Sequence, residues 1–379
     1  MTTHLSDRRV LVIGGGFSGM TAALELKRAG AWVDLVEIDK AWRSYGAGIT
    51  IHGATLRVLR KLGLLDRFMR EGATTDHVHM RDAQTDEIHI EIVTPRIAGK
   101  DVPGTGGIMR PVLARILSSA VLEAGVNVKL GTTFTAIDDT PSGVNVQFED
   151  GSHGTYDLVI GADGLYSTVR KHLFPDAPPP RYIGQAIWRA VTPWPPGIDS
   201  AAMWMSDKVK AGFTFVSKDQ VYLFVTEERP VNDHVAPNTF LERLRGLLEP
   251  FGAPTVKWFR DQLSGDSQII FRPLEQMLAP RPWSKGRVVL IGDAVHATTP
   301  HLAAGACIGI EDAVVLVEEL ARIDDLPAAL AAFEERRWER CRMVVENSGR
   351  LADIEINSGS KEEHGAIMQA SNRSLAEPI

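Results

Sequence analysis

The sequence predicts an α/β fold in two interleaved parts. One is a Rossmann-like parallel sheet with its helices; the other is a mainly antiparallel β-sheet inserted into it, with C-terminal helices closing the chain. Three observations lead there. Residues 9–37 read as strand, glycine-rich turn, helix and strand, a complete βαβ unit. Residues 181 to 273 change texture to short alternating runs, the pattern of half-buried antiparallel strands. The apolar run at 286–291 (Gly-Arg-Val-Val-Leu-Ile) then returns to a buried parallel strand, so the chain re-enters the first part. A chain of 379 residues is long enough to build two cores.

Taken in order, residues 9–13 (Arg-Val-Leu-Val-Ile) are a buried strand, and residues 18–29 carry Met20, Ala23, Leu24 and Leu26 at helical spacing until Gly30 stops them. Residues 32–36 form the second strand. Residues 54–63 read as a short amphipathic helix closed by Gly63, and 76–92 as strands. Arg110-Pro111 opens a helix to about 124, with proline in its first turn. Residues 126–149 read as antiparallel strands around Pro141-Ser142-Gly143, and 157–162 as another buried strand. The alternating runs are 184–191, 201–206, 211–216, 221–226 and 267–272, interrupted by one helix at 238–249. Long helices follow at about 306–322 and 326–350. The polar tail after 358 is expected to fray.

Composition narrows the function classes. A net charge of −7 gives no footprint for nucleic acid or an acidic membrane surface. The two cysteines, Cys307 and Cys341, have no metal-ligand spacing, so neither a disulfide framework nor a metal site is expected, and a reducing cytoplasm fits. The apolar run after MTTHLSDRR ends in glycines after four residues, too short for a signal peptide. No segment has the roughly 18 apolar residues a membrane span needs.

Gly14, Gly16 and Gly19 have the GxGxxG spacing, with Phe17 and Ser18 between the last two. The first glycine allows the tight turn, the second lets a pyrophosphate reach the backbone, and the third allows close helix–strand packing. Glu37, followed by Ile38, ends the second strand where a carboxylate holds ribose hydroxyls. An acid there favours FAD or NAD over NADP, whose extra phosphate it would repel.

Three further segments add to this fingerprint. Gly161-Ala162-Asp163-Gly164 ends a strand, with Ser167 and Arg170 following; Gly292-Asp293-Ala294-Val295-His296 ends another, followed by Pro300; and Arg43 precedes Gly46-Ala47-Gly48. Together these resemble the class A flavoprotein monooxygenases, the group of p-hydroxybenzoate hydroxylase, over roughly residues 8–350. The branch with salicylate and 6-hydroxynicotinate monooxygenases is nearest, because Pro300-His301 and Gly305-Ala306-Cys307 echo the latter. The resemblance implies FAD bound by residues 1–75, 97–180 and 274–358, a substrate sheet at 76–96 and 181–273, and a tail at 359–379. It implies NADH or NADPH as a transient co-substrate, since no second complete GxGxxG unit is present, and hydroxylation of an aromatic or heteroaromatic, phenol-like ring with O2 through a flavin hydroperoxide. A monomer or homodimer is equally compatible.

On the same resemblance, Asp293 contacts the ribityl chain, and Asp163, Arg43, Gly48 and Arg110 join the cofactor site; arginine suits phosphate or flavin carbonyls. Pro300, Ala304, Gly305 and Ala306 bring a helix N-terminus toward the flavin. His301, Arg189 and His52 are the polar candidates beside the ring. Met203, Met205, Phe213, Phe215, Tyr222 and Phe224 are the candidate pocket wall, read as strand residues of one parity. His296 is expected to be structural. Two departures bear on the flavin's surroundings: the family has Gly-Gln-Gly where this chain has Ala303-Ala304-Gly305, and often Pro-Asn where it has Gly53-Ala54. Another class of FAD oxidoreductase (a dehydrogenase, reductase or oxidase) and a non-catalytic FAD-binding module are the alternatives. A flavin halogenase is disfavoured, because Pro193-Trp194-Pro195-Pro196 is not its Trp-x-Trp-x-Ile-Pro segment.

Overall fold

The computed structural model describes residues 5–44, 46–206 and 208–379. The first four residues, and Tyr45 inside the Arg43–Ile49 segment, lie outside them. The βαβ unit forms as its pattern dictates: strand Arg9–Ile13, helix Phe17–Arg28 and strand Trp32–Glu37. These strands lie in a six-stranded sheet ordered Ser284–Lys285, Val288–Leu290, Leu158–Gly161, Arg9–Ile13, Trp32–Glu37 and Asn127–Leu130. All neighbours are parallel except the short edge strand Ser284–Lys285. Val10, Leu11, Val12, Val159, Ile160, Val289 and Leu290 are fully buried, as strands covered on both faces must be.

The second part is a seven-stranded sheet ordered Ile270–Gln276, Arg181–Pro193, Gln220–Glu228, Val209–Phe215, Ala201–Met205, His77–Arg81 and Ile88–Val93. It is antiparallel except where Ala201–Met205 runs parallel to His77–Arg81. One face packs on helices Phe240–Leu248 and Pro254–Gln262, around Trp188, Trp204, Phe213 and Phe259. The other covers a large cavity over the first part. Among the described residues no helix is long and apolar enough to cross a membrane.

Three elements differ from the sequence reading. Asn127–Leu130 pairs parallel with Trp32–Glu37 and completes the nucleotide sheet. Local turn residues at 141–143 announced a hairpin, but strand order is set by distant partners; the hairpin itself is Phe134–Thr140 with Gly143–Phe148. Helix Pro254–Gln262 was unread, although it opens with proline at its first turn and buries Val256 and Phe259 at i, i+3. The tail does not fray. Residues Lys361–Ala376 form a helix capped by Ser360, whose hydroxyl accepts from the Glu363 N–H. Arg57 donates to the carbonyls of Ala376 and Glu377 at 2.8 and 2.7 Å, and Arg340 to those of Ser374 and Leu375 at 2.7 and 3.0 Å. These cations sit where the last carbonyls and the negative dipole end favour them.

A buried charge cluster joins helices Gly305–Arg322 and Leu326–Ile356. Asp312 accepts from Arg337 Nε at 2.8 Å and from the Gly292 N–H at 2.9 Å, and it contacts His296 Nε2. Arg337 and Arg340 also hold Glu311. Burial alone would raise the Asp312 pKa, but His296 and Arg337 outweigh it and hold it at about 2, below its ordinary 3.8. The same pairing lifts His296 well above its usual value against the effect of burial.

A depressed carboxylate contributes stability that is complete above its unfolded pKa and is lost as pH falls through the folded one. The stability gap between wild type and Asp312→Asn is therefore full between pH 3.8 and 6.5, shrinks toward pH 2 as Asp312 takes a proton, and shrinks again at high pH as His296 loses the proton that Asp312 holds on it. Urea unfolding at stepped pH measures it; a gap independent of pH would exclude a charged Asp312.

Candidate active site

The cavity has a volume of about 2120 Å³, roughly twice the upper end for a pocket holding one drug-sized ligand. It runs from the glycine loop, under the seven-stranded sheet, to the C-terminal helix.

At the loop, each glycine has its own steric reason. Gly14 has φ +107°, and a Cβ there would stand 2.4 Å from the Ala162 carbonyl. A Cβ on Gly19 would stand 1.9 Å from the Gly14 carbonyl, so helix and strand meet only through glycine. At Gly16 a Cβ would meet nothing within 4 Å: the backbone faces open cavity. Helix Phe17–Arg28 starts there with no side-chain cap, leaving its first N–H groups available. Glu37 shapes the same loop. Its two carboxylate oxygens accept from the Gly15 N–H at 2.7 Å and the Asp39 N–H at 2.8 Å. Trp42 Nε1 donates to the Gly15 carbonyl at 2.9 Å.

Asp293 presents its carboxylate to the cavity and accepts no hydrogen bond among the described residues. The protein around it raises its pKa, opposed by His296 and Arg110. Arg110 stands over the Phe17 ring at 5.7 Å, and its guanidinium has no hydrogen-bond acceptor among the described residues. Burial lowers its pKa, and neighbouring Arg189 adds to that. A free carboxylate, a free guanidinium, open backbone at Gly16 and an uncapped helix end are the donor and acceptor set a dinucleotide requires. Arg43 lines the entrance beside Asp39, with 3.1 Å between them. Gly48 lets strand Gly48–His52 pass over Tyr222, where a Cβ would stand 2.5 Å from the tyrosine Cβ. Ser18 packs into a notch formed by Gly292 and Gly309; a Cβ on either would come within 2.5 Å of its hydroxyl.

Two expected cofactor residues do not line the cavity. Asp163 accepts from Ser167 Oγ at 2.5 Å, Thr168 N–H at 2.7 Å and Val169 N–H at 3.1 Å. It takes up the first two N–H groups of helix Thr168–Leu173, whose N-cap is Ser167, and it stands outside the cavity lining. Ile38 is 66% exposed beyond Glu37 and also outside the lining.

The sheet register decides the cavity wall. Met203 pairs with Gly212, which pairs with Phe224, which pairs with Arg189. That row, with Met205, Thr214 and Tyr222, faces the cavity. Phe213 pairs with Leu223 and belongs to the opposite parity, as does Phe215. Phe213 packs on Phe259 and Trp204 in the helix-covered core, although it also borders the cavity; Phe215 does not line it and contacts Trp194. The strand reading placed them with Met203 because each strand's alternation is visible but its phase against its neighbours is not.

Arg189 donates from Nε to the Tyr222 hydroxyl at 2.7 Å, and the rest of its fork has no acceptor among the described residues. His52 ends strand Gly48–His52, with burial lowering its pKa and Nε2 unpartnered among the described residues. His301 lies on the short helix Pro300–Leu302, its side chain buried, with Nδ1 at 2.9 Å from Thr299 Oγ1 and Nε2 at 3.3 Å from Glu355. Ala303 follows with φ +48°, and Gly305 opens helix Gly305–Arg322 with no side-chain cap. Pro300, Gly305 and Ala306 line the cavity, and Ala304 is buried beneath them. Lys210, Glu355 and His364, absent from the sequence reading, also line it. They sit on three separate elements, and no spacing in the chain announces their meeting.

The FAD binding domain family model matches residues 7–348. The 6-hydroxynicotinate 3-monooxygenase of Bordetella bronchiseptica is 31% identical over 351 residues, 89% of each chain. The aurachin C monooxygenase/isomerase of Stigmatella aurantiaca is 31% identical over 353 residues, 91% of this chain and 89% of its own. In structure, Klebsiella pneumoniae HpxO complexed with FAD and uric acid superposes with a TM-score of 0.83 at 26% identity, covering 99% of this chain and 94% of its own.

Ala303 stands in left-handed backbone that glycine adopts without a Cβ penalty. Ala303→Gly is therefore expected to stabilise the fold by about 1 kcal/mol. Chemical denaturation measures it; a loss of stability would mean that the Ala303 methyl packs better than its backbone is strained.

Proposed function

The chain belongs to the FAD binding domain family, and from that membership we propose how its residues hold FAD and an aromatic ring. It is an FAD-dependent monooxygenase of the kind that acts on aromatic and heteroaromatic rings. The observation that carries the reading is the continuity of one cavity. The glycine loop, Asp293 and Arg110 line one end, and the row Met203, Phe224, Arg189 and Tyr222 roofs the other.

When bound, FAD reduced by NADH or NADPH supplies the activated oxygen that enters the ring. The chain's own residues bind and orient. Gly16 and the start of helix Phe17–Arg28 would receive the pyrophosphate, Glu37 a ribose and Asp293 the ribityl hydroxyls. Arg110 would neutralise phosphate or flavin charge. Backbone N–H groups at 304–307 would donate to the flavin's pyrimidine edge, a role that needs no particular side chain, so alanine at 304 leaves it intact. Arg189, fixed by Tyr222, would hold an oxyanion or carboxylate of the ring, and the apolar row Met203 and Phe224 would keep water from it. The uric acid bound by HpxO and the 6-hydroxynicotinate of the Bordetella enzyme's name are flat, electron-rich heterocycles, which supports this substrate class.

The direct test is a panel of phenols and hydroxylated heterocycles scored for stimulated NAD(P)H oxidation, with product mass. A hit gains one oxygen; a yellow protein inert to the whole panel sinks the reading in favour of a flavin-binding module. Asp293→Ala is expected to weaken FAD retention by on the order of 1–3 kcal/mol, the scale of hydrogen bonds to a charged group, while folding persists. Unchanged flavin loss on dilution would remove Asp293 from the site. Arg189→Met is expected to lower kcat/KM for an acidic ring by roughly 10²-fold while leaving flavin content unchanged. Equal kcat/KM in the two proteins would place the ring elsewhere.

A further inference from the structure

The row that roofs the ring site does not stop at Met203. Met203 pairs with Met80 on strand His77–Arg81, and Met80 pairs with Ile90 on the edge strand Ile88–Val93. Alongside, Ala201 pairs with Val78 and Val78 with Ile92. All these side chains line the same cavity as Arg189 and Tyr222. Five strand-to-strand steps separate Arg189 from Ile90, so the row is about 24 Å long at the usual spacing. Beyond Arg189 it carries no charge and no hydrogen-bonding side chain. Gly212 keeps it continuous. A Cβ there would stand 2.4 Å from the Phe224 ring and 2.9 Å from Met203 Cγ, so those two side chains close over the glycine.

The outer end of the row is apolar and open. Ile90 is 57% exposed and Ile92 37%. Single exposed apolar residues are ordinary, but a contiguous apolar row that continues a cavity marks a ligand groove. The strand itself discourages a second chain from pairing with it. Its register shifts beside Met80 and Arg81, and Glu91 stands between the two isoleucines on the other face, where it meets His77 at 2.7 Å. Bulges and charges are devices that protect a sheet edge. The group that covers the isoleucines therefore reaches them along the cavity. At about 2120 Å³ that cavity is filled by two ligands each at the upper end of the usual range, roughly 1,000 Å³, and so admits a second ligand longer than one ring beside a dinucleotide.

We propose that the ring substrate carries a long aliphatic tail and that this row is its channel; this rests on the reading of the Arg189 end as the ring site. The ring sits at Arg189 and Tyr222, and the tail runs over Met203 and Met80 to Ile90 and Ile92. The two ends of the ligand are held by different physics. The polar head is fixed by the guanidinium fork of Arg189, which is directional. The tail has no directional partner and binds by leaving water, taking the faces of the two isoleucines with it. Affinity therefore rises with tail length until the tail passes the sheet edge at Ile90.

The test uses the FAD-loaded protein and 4-alkylphenols from methyl to nonyl, with the change in the flavin absorption spectrum as the measure of binding. Kd is expected to fall about fourfold with each added methylene, the figure for full burial. Ile90→Ser combined with Ile92→Ser is expected to flatten the series over its longest members, which alone reach the edge, and to weaken 4-nonylphenol roughly tenfold. Flavin content and the Kd of 4-methylphenol are expected to stay as in the wild type. Ile88→Ser is the control: it is on the same strand, 50% exposed and off the cavity wall, and is expected to keep the wild-type slope. A Kd that falls less than about twofold per methylene, or a series that the double variant leaves intact, overturns the channel. So does a wild type that sediments as a dimer and is split by the double variant, because a second copy then covers the isoleucines. If no member of the series perturbs the flavin spectrum, the ring-site reading falls instead, and the channel with it.

Discussion

The buried carboxylate of Asp312 is the constraint on which the site depends. It accepts from the Gly292 N–H at the end of the strand run, and so fixes a turn that only a left-handed residue makes, with φ +62° at Gly292. The next residue is Asp293, whose carboxylate reaches the cavity. The same Asp312 contacts His296 three residues on and binds Arg337 on the following helix. One side chain thus sets the direction of the turn, the start of the segment after it and the position of a helix that packs behind it. Two buried acids, Glu311 and Asp312, are shared among three basic groups, Arg337, Arg340 and His296. Removing one partner leaves the others buried without compensation, which costs far more than the net worth of any pair.

Close backbone approach is the second half of the same constraint. Gly292 and Gly309 leave just enough room for Ser18, so helix Gly305–Arg322 lies directly against helix Phe17–Arg28. Arg170 adds a cross-link from the other strand end, donating to the carbonyls of Ala294 and Leu165 at 2.6 and 2.8 Å. The glycine loop, the Gly161–Gly164 segment and the Gly292–His296 segment therefore meet at one point for packing reasons. Asp163 belongs to this scaffold: it accepts from the first N–H groups of the helix that carries Arg170.

The legible part of the protein is the part whose signal is local. The βαβ unit and its three glycines occupy a few consecutive residues, and each glycine has a steric reason visible in the local pattern. What stayed illegible depends on pairing across distance. The parity of Phe213 against Met203 is set by a register with Gly212 and Phe224 that neither strand displays alone. Strand Asn127–Leu130 joins its sheet through Trp32–Glu37, far back in the chain. The C-terminal helix buries little but Ser371 and Leu375, so its sequence lacks an apolar stripe, and arginines at 57 and 340 supply what its own periodicity does not. Glu355 lies beyond the helix read over 326–350, and only the fold brings Lys210, His301 and His364 to it.

The segment from Thr299 to Gly305 joins these two kinds of information. Its proline and glycine were readable as a loop beside a flavin, and its departures from the family were visible as Ala303 and Ala304. The backbone holds Ala303 in left-handed geometry, which glycine adopts without a Cβ penalty. The following helix is held from below by Asp312, so the turn has little freedom to relax. Because the turn is held, His301 is delivered against Glu355 and the first N–H groups of the helix face the cavity. A glycine-to-alanine exchange is tolerated in this loop because the buried charges at its far end over-determine its shape. The strain at Ala303 is thus local, and the positions of His301 and Gly305 are inherited from the core.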